Sequence, residues 1–260
     1  MPCKDLEDYQ EELFLNHELS FHPQTQKFKT GFKSIELAMD SLDTFFAIGK
    51  LRYGCEMLAR ENILSEKYNI WLLEQASAFG VNHSEIVFKV FSKLIKLQRE
   101  ESTQAHFFNI KEQFENHLPS FSQEQQKIIL QSLSNYSIRQ INSGEASFLE
   151  AQFSLIKIGV QHDLYIENQQ ISDARFNNIV NTGIGVGEFE WTAQFISNHK
   201  SYLEEAIKES AINLAWAYWY FHQRDFTKVL DFLINIDYLP SYGFRVKSLR
   251  MRAYYELCRQ

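Results

Sequence analysis

The chain has 260 residues and a mass of 30.7 kDa, enough for a substantial hydrophobic core. A content of 45% hydrophobic and 23% charged residues excludes a disordered polymer, and ten glycines with four prolines are too few for the turns of an all-β fold. The formal charge of −7 argues against a nucleic-acid binder, which relies on a basic excess to neutralise phosphates.

Cys3, Cys55 and Cys258 form neither a CxxC pair nor a disulfide framework, which points to a reducing compartment. The N-terminus is acidic and has no apolar signal core. The most apolar window, 212–221, is far shorter than the roughly 20 residues of a membrane span. The expected location is the cytoplasm, with no membrane partner.

Apolar residues recur at three- and four-residue spacing almost throughout, so the elements are helices. A first helix carries Leu6, Leu13 and Phe14 and stops before Phe21-His22-Pro23. Residues 23–33 read as an irregular connection. Ser41 is expected to cap a helix to about 62, with Leu42, Phe45, Phe46, Leu51 and Leu58 on its buried face. Helix 68–79 follows and is expected to stop at Gly80. Ser84 opens a helix with Ile86, Val90, Phe91, Leu94 and Leu97 as its stripe, and helix 102–118 ends at Pro119. Ser122 and Gln125 form a capping box for a helix towards Asn142 and Gly144. Helices are then expected over 145–158, 173–186, 188–199, 205–222, 225–236 and 244–259.

No Gly-, Pro- or Ser-rich linker divides this series. The expected organisation is one helical-repeat domain over 1–260. It comprises an N-terminal helix and connection (1–40), irregular hairpins (41–171) and repeat-like hairpins (172–260), the last incomplete.

Asn213-x-x-Trp216-Ala217-x-x-Tyr220, followed by Asp225-Phe226, Val229, Leu233 and Pro240, resembles the tetratricopeptide motif. Ala217 takes the small slot where two helices of a hairpin touch. Asn213 departs from the expected tryptophan, and Val229 and Leu233 replace the usual alanine and aromatic. Met251 and Tyr254 lie one 34-residue period after Ala217 and Tyr220. Upstream, Phe176, Ile179, Val180 and Gly183, then Glu188-Phe189, Thr192 and Ile196, repeat the pattern with a slightly longer connection.

His22-Pro23, 42–46 with 50–53, 135–138 and Gly187-Glu188-Phe189-Glu190-Trp191 are similar to an uncharacterised bacterial family of tetratricopeptide-like helical-repeat proteins. The resemblance covers most of 20–260 and implies no activity. Together with the motif it implies an all-α, right-handed α-α superhelix of antiparallel helical hairpins.

In such a stack the inner slots fall on Asn177 and Asn181, then Leu214, Tyr218, Phe221 and His222, then Arg245, Arg252 and Tyr255. Tyr218 and Phe221 either line the concave groove or pack against a neighbouring helix. Tetratricopeptide domains that grip a C-terminal carboxylate use five basic and Asn residues; only Asn181 and Arg245 match. Asn177 replaces a lysine, Ala215 an asparagine and Leu249 a basic residue. The clamp is therefore expected to be absent, and a ligand to engage the aromatic side chains.

Competing chemistry is poorly supported. His17 and His22 are five residues apart, roughly 140° around a helix, so they do not form the metalloprotease pair. Gly183-Ile184-Gly185-Val186-Gly187 has neither the spacing nor the setting of a phosphate loop. It reads as a helix end where small residues allow close packing and a tight turn. No metal, cofactor or catalytic triad is expected.

The expected function is a non-enzymatic scaffold holding a peptide or protein in the groove. The alternative is an enzyme or small-ligand sensor with a pocket between helices. Met251, Tyr254 and Leu257 form an apolar face with no following helix to cover it. The chain is therefore expected to be a segment of a larger protein, or a subunit that self-associates through this last helix.

Overall fold

The computed structural model describes residues 3–24, 32–64, 66–99, 103–234, 236 and 240–259. Among these the structure is all-helical: twelve α-helices and no strand. The chain forms two compact units that divide between Arg139 and Gln140. The division falls inside a helix, with no loop to mark it.

In the first unit, α1 is Leu6–Phe21, α2 Phe32–Leu64, α3 Leu73–Asn82, α4 Ile86–Gln98, α5 Gln104–Asn116 and α6 Gln123–Asn142, which runs past the division. The start of α2 lies well before the expected cap at Ser41. Ser41 is instead buried mid-helix, where its Oγ donates to Leu37 O at 2.8 Å and accepts from Asn16 Nδ2 at 2.7 Å. That contact turns the Ser41 face of α2 towards α1. Leu42 and Phe46, expected in the core, are consequently exposed. The buried stripe is Ala47, Ile48, Leu51, Cys55 and Leu58, packed with α3 and α4. Burial pushes the Cys55 thiol up, so it is an inert core residue.

Gly80 does not end α3. A Cβ there would lie 2.2 Å from Ser92 Oγ and 3.0 Å from Phe88 O, so glycine is what lets α3 and α4 touch. In the stripe expected on α4, Val90, Phe91, Leu94 and Leu97 are fully buried, while Ile86, at its first position, is half-buried. Ser102 lies outside the described residues, and Thr103 precedes α5. Pro119 sits in a short 3-10 turn, Leu118–Ser120. The capping box is present: Ser122 N donates to Gln125 Oε1 at 3.0 Å, and Gln125 N to Ser122 Oγ at 3.3 Å.

The second unit contains α7 Ser147–Gln161, α8 Asp173–Gly185, α9 Phe189–His199, α10 Glu205–His222, α11 Phe226–Ile234 and α12 Pro240–Arg259. Each helix from α8 onwards packs on its sequence neighbour, and α10 also packs on both α8 and α12. The core consists of Phe176, Ile179 and Val180, then Phe195 and Ile196, then Leu214 and Ala217, then Val229 and Leu233, and finally Val246, Leu249 and Ala253.

Four helix ends share one device. The pairs Glu188 N→Gly183 O with Gly187 N→Ile184 O, and Glu145 N→Gln140 O with Gly144 N→Ile141 O, close Schellman turns with Gly187 and Gly144 left-handed. Asp163 and Arg224 close the corresponding turns after α7 and α10 without glycine, which is why composition does not reveal them. Similarly, α12 starts at Pro240 rather than after Gly243, because proline is tolerated at the first helical position.

The apolar face expected on the last helix divides unequally. Met251 is 73% and Tyr254 54% exposed, whereas Leu257 is half-buried.

Candidate functional site

The inner slots read from the repeat register do not all reach solvent. Leu214 is fully buried in the packing of α10, so it is a core residue and not a groove residue. Asn177 is also buried; its Nδ2 donates to Asp173 O at 2.9 Å. Tyr242, at the start of α12, donates its hydroxyl to Asp173 Oδ2 at 3.1 Å. Burial, reinforced by the Asp173 charge, pushes the Tyr242 phenol up to about 12. Asn177 therefore belongs to a buried polar joint between α8 and α12. Asn181, one turn further along α8, is exposed.

The remaining residues do come together, on α10 and α12. The Arg252 guanidinium lies over the Phe221 ring, 4.4 Å from its centroid. Phe221 also meets Phe226 edge to face at 5.4 Å. Tyr218 is half-buried; burial raises its phenol, while the nearby Arg245 and Arg252 charges pull the other way. His222 is held below its ordinary value by desolvation and by Arg252. Arg245, Arg252 and Tyr255 are exposed, with Arg259 over the Tyr255 ring, 5.4 Å from its centroid. Phe221 thus packs against α12 through Arg252, and both Phe221 and Tyr218 are half-buried.

A hollow of about 200 Å³ opens beside them, lined by Phe221, His222, Arg224, Phe226 and Glu256. This is below the roughly 300 Å³ at which small-molecule sites begin, and suits a single inserted side chain. Arg224 and Glu256 were not expected here. Arg224 arrives by closing the left-handed turn after α10. Nor were Phe244, 84% exposed, or the strongly basic character of α12, on which Arg245, Lys247, Arg250, Arg252 and Arg259 face a lone acid, Glu256. That charge bias is written in the sequence and is masked by the overall −7.

The first unit holds a larger cavity, about 410 Å³, bordered by Cys3, Lys4, Tyr9, Ser84, Glu85 and Ser120. Tyr9 is buried and donates its hydroxyl to Glu85 Oε2 at 2.5 Å. Burial and that carboxylate together push its phenol well up, so it stays protonated. Lys4 pairs with Glu12 at 2.8 Å and lies over the Tyr9 ring.

No family model, curated protein or solved structure matches this chain. The two sites must be read from their own chemistry. Among the described residues no three His, Cys, Asp or Glu side chains converge to hold a metal ion. Of the groups around the larger cavity, the Tyr9 phenol is bound to Glu85 and the Lys4 ammonium to Glu12.

His83 stands next to this cavity and makes a testable pH dependence. Its Nδ1 accepts the Glu85 N–H at 3.2 Å, and its ring lies tilted against Phe88, with centroids 3.9 Å apart. Protonating Nδ1 breaks that bond, and desolvation lowers the pKa, with Lys89 and Lys4 adding to it and Glu85 opposing. A folded-state pKa below the unfolded 6.5 means that the contribution to stability is complete above pH 6.5 and is lost as pH falls through the folded value. Urea midpoints between pH 7 and 5.5 are expected to fall more steeply for the wild type than for His83→Phe. Parallel slopes would refute this.

Proposed function

We propose that the protein is a non-enzymatic interaction scaffold. It is a right-handed stack of helical hairpins, tetratricopeptide-like over 172–260, that holds a peptide or protein against the face formed by α10 and α12. The observation that carries this reading is the two-sidedness of α12. Tyr242, Val246, Leu249 and Ala253 are buried, while Phe244, Met251, Tyr254 and Tyr255 are exposed, and Arg252 between them lies over the half-buried Phe221 of α10. Large apolar side chains grouped on the exposed side of one helix are a feature of interaction sites.

The alternating packing of α8, α10 and α12, with α9 and α11 each laid on a neighbour, supports the hairpin stack. Ala215 and Leu249, which stand where a carboxylate clamp would need polar groups, are fully buried, so this face works without that clamp. The free thiols of Cys3, Cys55 and Cys258 support a reducing compartment such as the cytoplasm. No helix among the described residues is long and apolar enough to cross a membrane.

The test is affinity capture from the native cell with mass spectrometry, comparing the wild type with a Phe221→Ala/Met251→Ser double variant. A protein recovered by the wild type and lost by the variant is expected. An identical recovered set for both would refute the reading. A second reading, a small-ligand pocket, is favoured by the 410 Å³ cavity beside Tyr9 and Glu85. A metabolite that raises the melting temperature of the wild type but not of Glu85→Gln would select it.

A further inference from the structure

We infer that the segment docking on the α10–α12 face is an acidic, amphipathic helix of a partner protein. This rests on the scaffold reading above and specifies its partner. The exposed apolar residues Phe244, Met251 and Tyr255 are spaced by seven and four residues, so they form one stripe along α12. Arg245, Arg252 and Arg259 recur at seven-residue intervals along the edge of that stripe, about 10 Å apart at 1.5 Å per residue. A helix laid along this surface presents its own apolar residues at i, i+3, i+4 and i+7 to the stripe. The side chains flanking them meet the arginine row at the same period.

Charge then selects the partner. Among the described residues none of Arg245, Lys247, Arg252 and Arg259 has a carboxylate within ion-pair distance. Cations on other helices do find acids, such as Lys111 with Glu115 and Lys208 with Glu205. Two of the guanidiniums instead lie over rings, Arg252 over Phe221 and Arg259 over Tyr255. A ring contact takes up none of the guanidinium's N–H donors in a hydrogen bond to a carboxylate, so those donors are available to one from a partner. A net charge of −7 with this row of cations on one helix makes the face a local positive patch on a negative protein. A polyanion such as RNA meets the same patch but also the repulsion of the rest of the surface, and it offers nothing aliphatic to Met251. A short acidic helix satisfies both stripes.

The experiment is to pan a phage-displayed random 16-residue library on the full chain at 50 mM salt. Enriched peptides are expected to carry net negative charge with apolar residues at helical spacing. Their affinity is expected to fall about tenfold or more for Arg245→Glu/Arg252→Glu, and severalfold in 500 mM salt. Both arginines are exposed, so the variant is expected to keep the wild-type circular dichroism and melting temperature. Neutral or basic peptides, or acidic ones indifferent to the double variant, would overturn the acidic preference. If such peptides still require Phe221 and Met251, the scaffold reading survives that failure; no enrichment at all removes both. Tighter binding of a 16-nucleotide oligouridine than of any peptide would replace the partner by nucleic acid. A concentration-dependent oligomer of the protein alone, dissolved by the double variant, would replace it by a second copy of this chain.

Discussion

Gly183→Ala is expected to destabilise the second unit by about 1–3 kcal/mol, although alanine is the better helix former by roughly 0.5–1 kcal/mol. A Cβ at Gly183 would lie 2.3 Å from Thr192 Oγ1, on α9. Thr192 cannot swing away easily. It is β-branched and fully buried, and its hydroxyl donates to Glu188 O at 2.7 Å. The neighbouring glycines separate this cause from a general effect of the motif. At Gly185 a new Cβ meets only Leu149 at 3.5 Å, ordinary contact, so Gly185→Ala is expected to be neutral or slightly stabilising. At Gly187 there is open space but a φ of +83°, so alanine there costs backbone strain and not a clash. The decisive measurement is a double-mutant cycle. Thr192→Ala in the Gly183→Ala background is expected to recover part of the loss, and strictly additive urea midpoints would show that the two helices do not touch there.

Ala217→Leu is the second large effect, expected at about 1–3 kcal/mol through overpacking. Ala217 is fully buried on α10, and so is Val229 on α11, the helix packed against it. Leucine adds atoms where the density of a protein interior leaves no room for them. The comparison is a change at Lys228, one residue from Val229 but exposed. Its ammonium pairs with Asp225 at 2.9 Å and lies over the Tyr220 ring. Surface pairs of this kind contribute about 0–1 kcal/mol, so Lys228→Ala is expected to melt close to the wild type. Equal melting temperatures for Ala217→Leu and Lys228→Ala would mean that the small slot of the repeat register has been misassigned.

The helices themselves were legible because their information is local. Apolar spacing, the Ser122–Gln125 box and the Gly187 turn each involve residues within one or two helical turns. Accordingly α10 runs over 205–222 as expected, and α8 and α9 differ from expectation by a residue or two. The sequence also contained the basic row on α12, but summing charge over the whole chain hid it. Of the face proposed on α10 and α12, Tyr218, Phe221, Arg245, Arg252 and Tyr255 are named by helical spacing alone.

Direction could not be read, because a helix with apolar residues on more than one side does not say which side meets a neighbour. Leu42 and Phe46 were assigned to a core that α2 turns away from, since the contact through Ser41 and Asn16 links residues 25 apart. Gly80 reads as a stop signal until α4 is seen lying across it, at which point the missing side chain becomes the condition for contact. Asn177 looks like a groove residue in sequence and becomes a buried joint only because Tyr242, 69 residues after Asp173, closes over that end of α8. Pattern within a helix set what each segment is; which of its faces is buried depended on partners distant in the chain, whose positions no local spacing encodes.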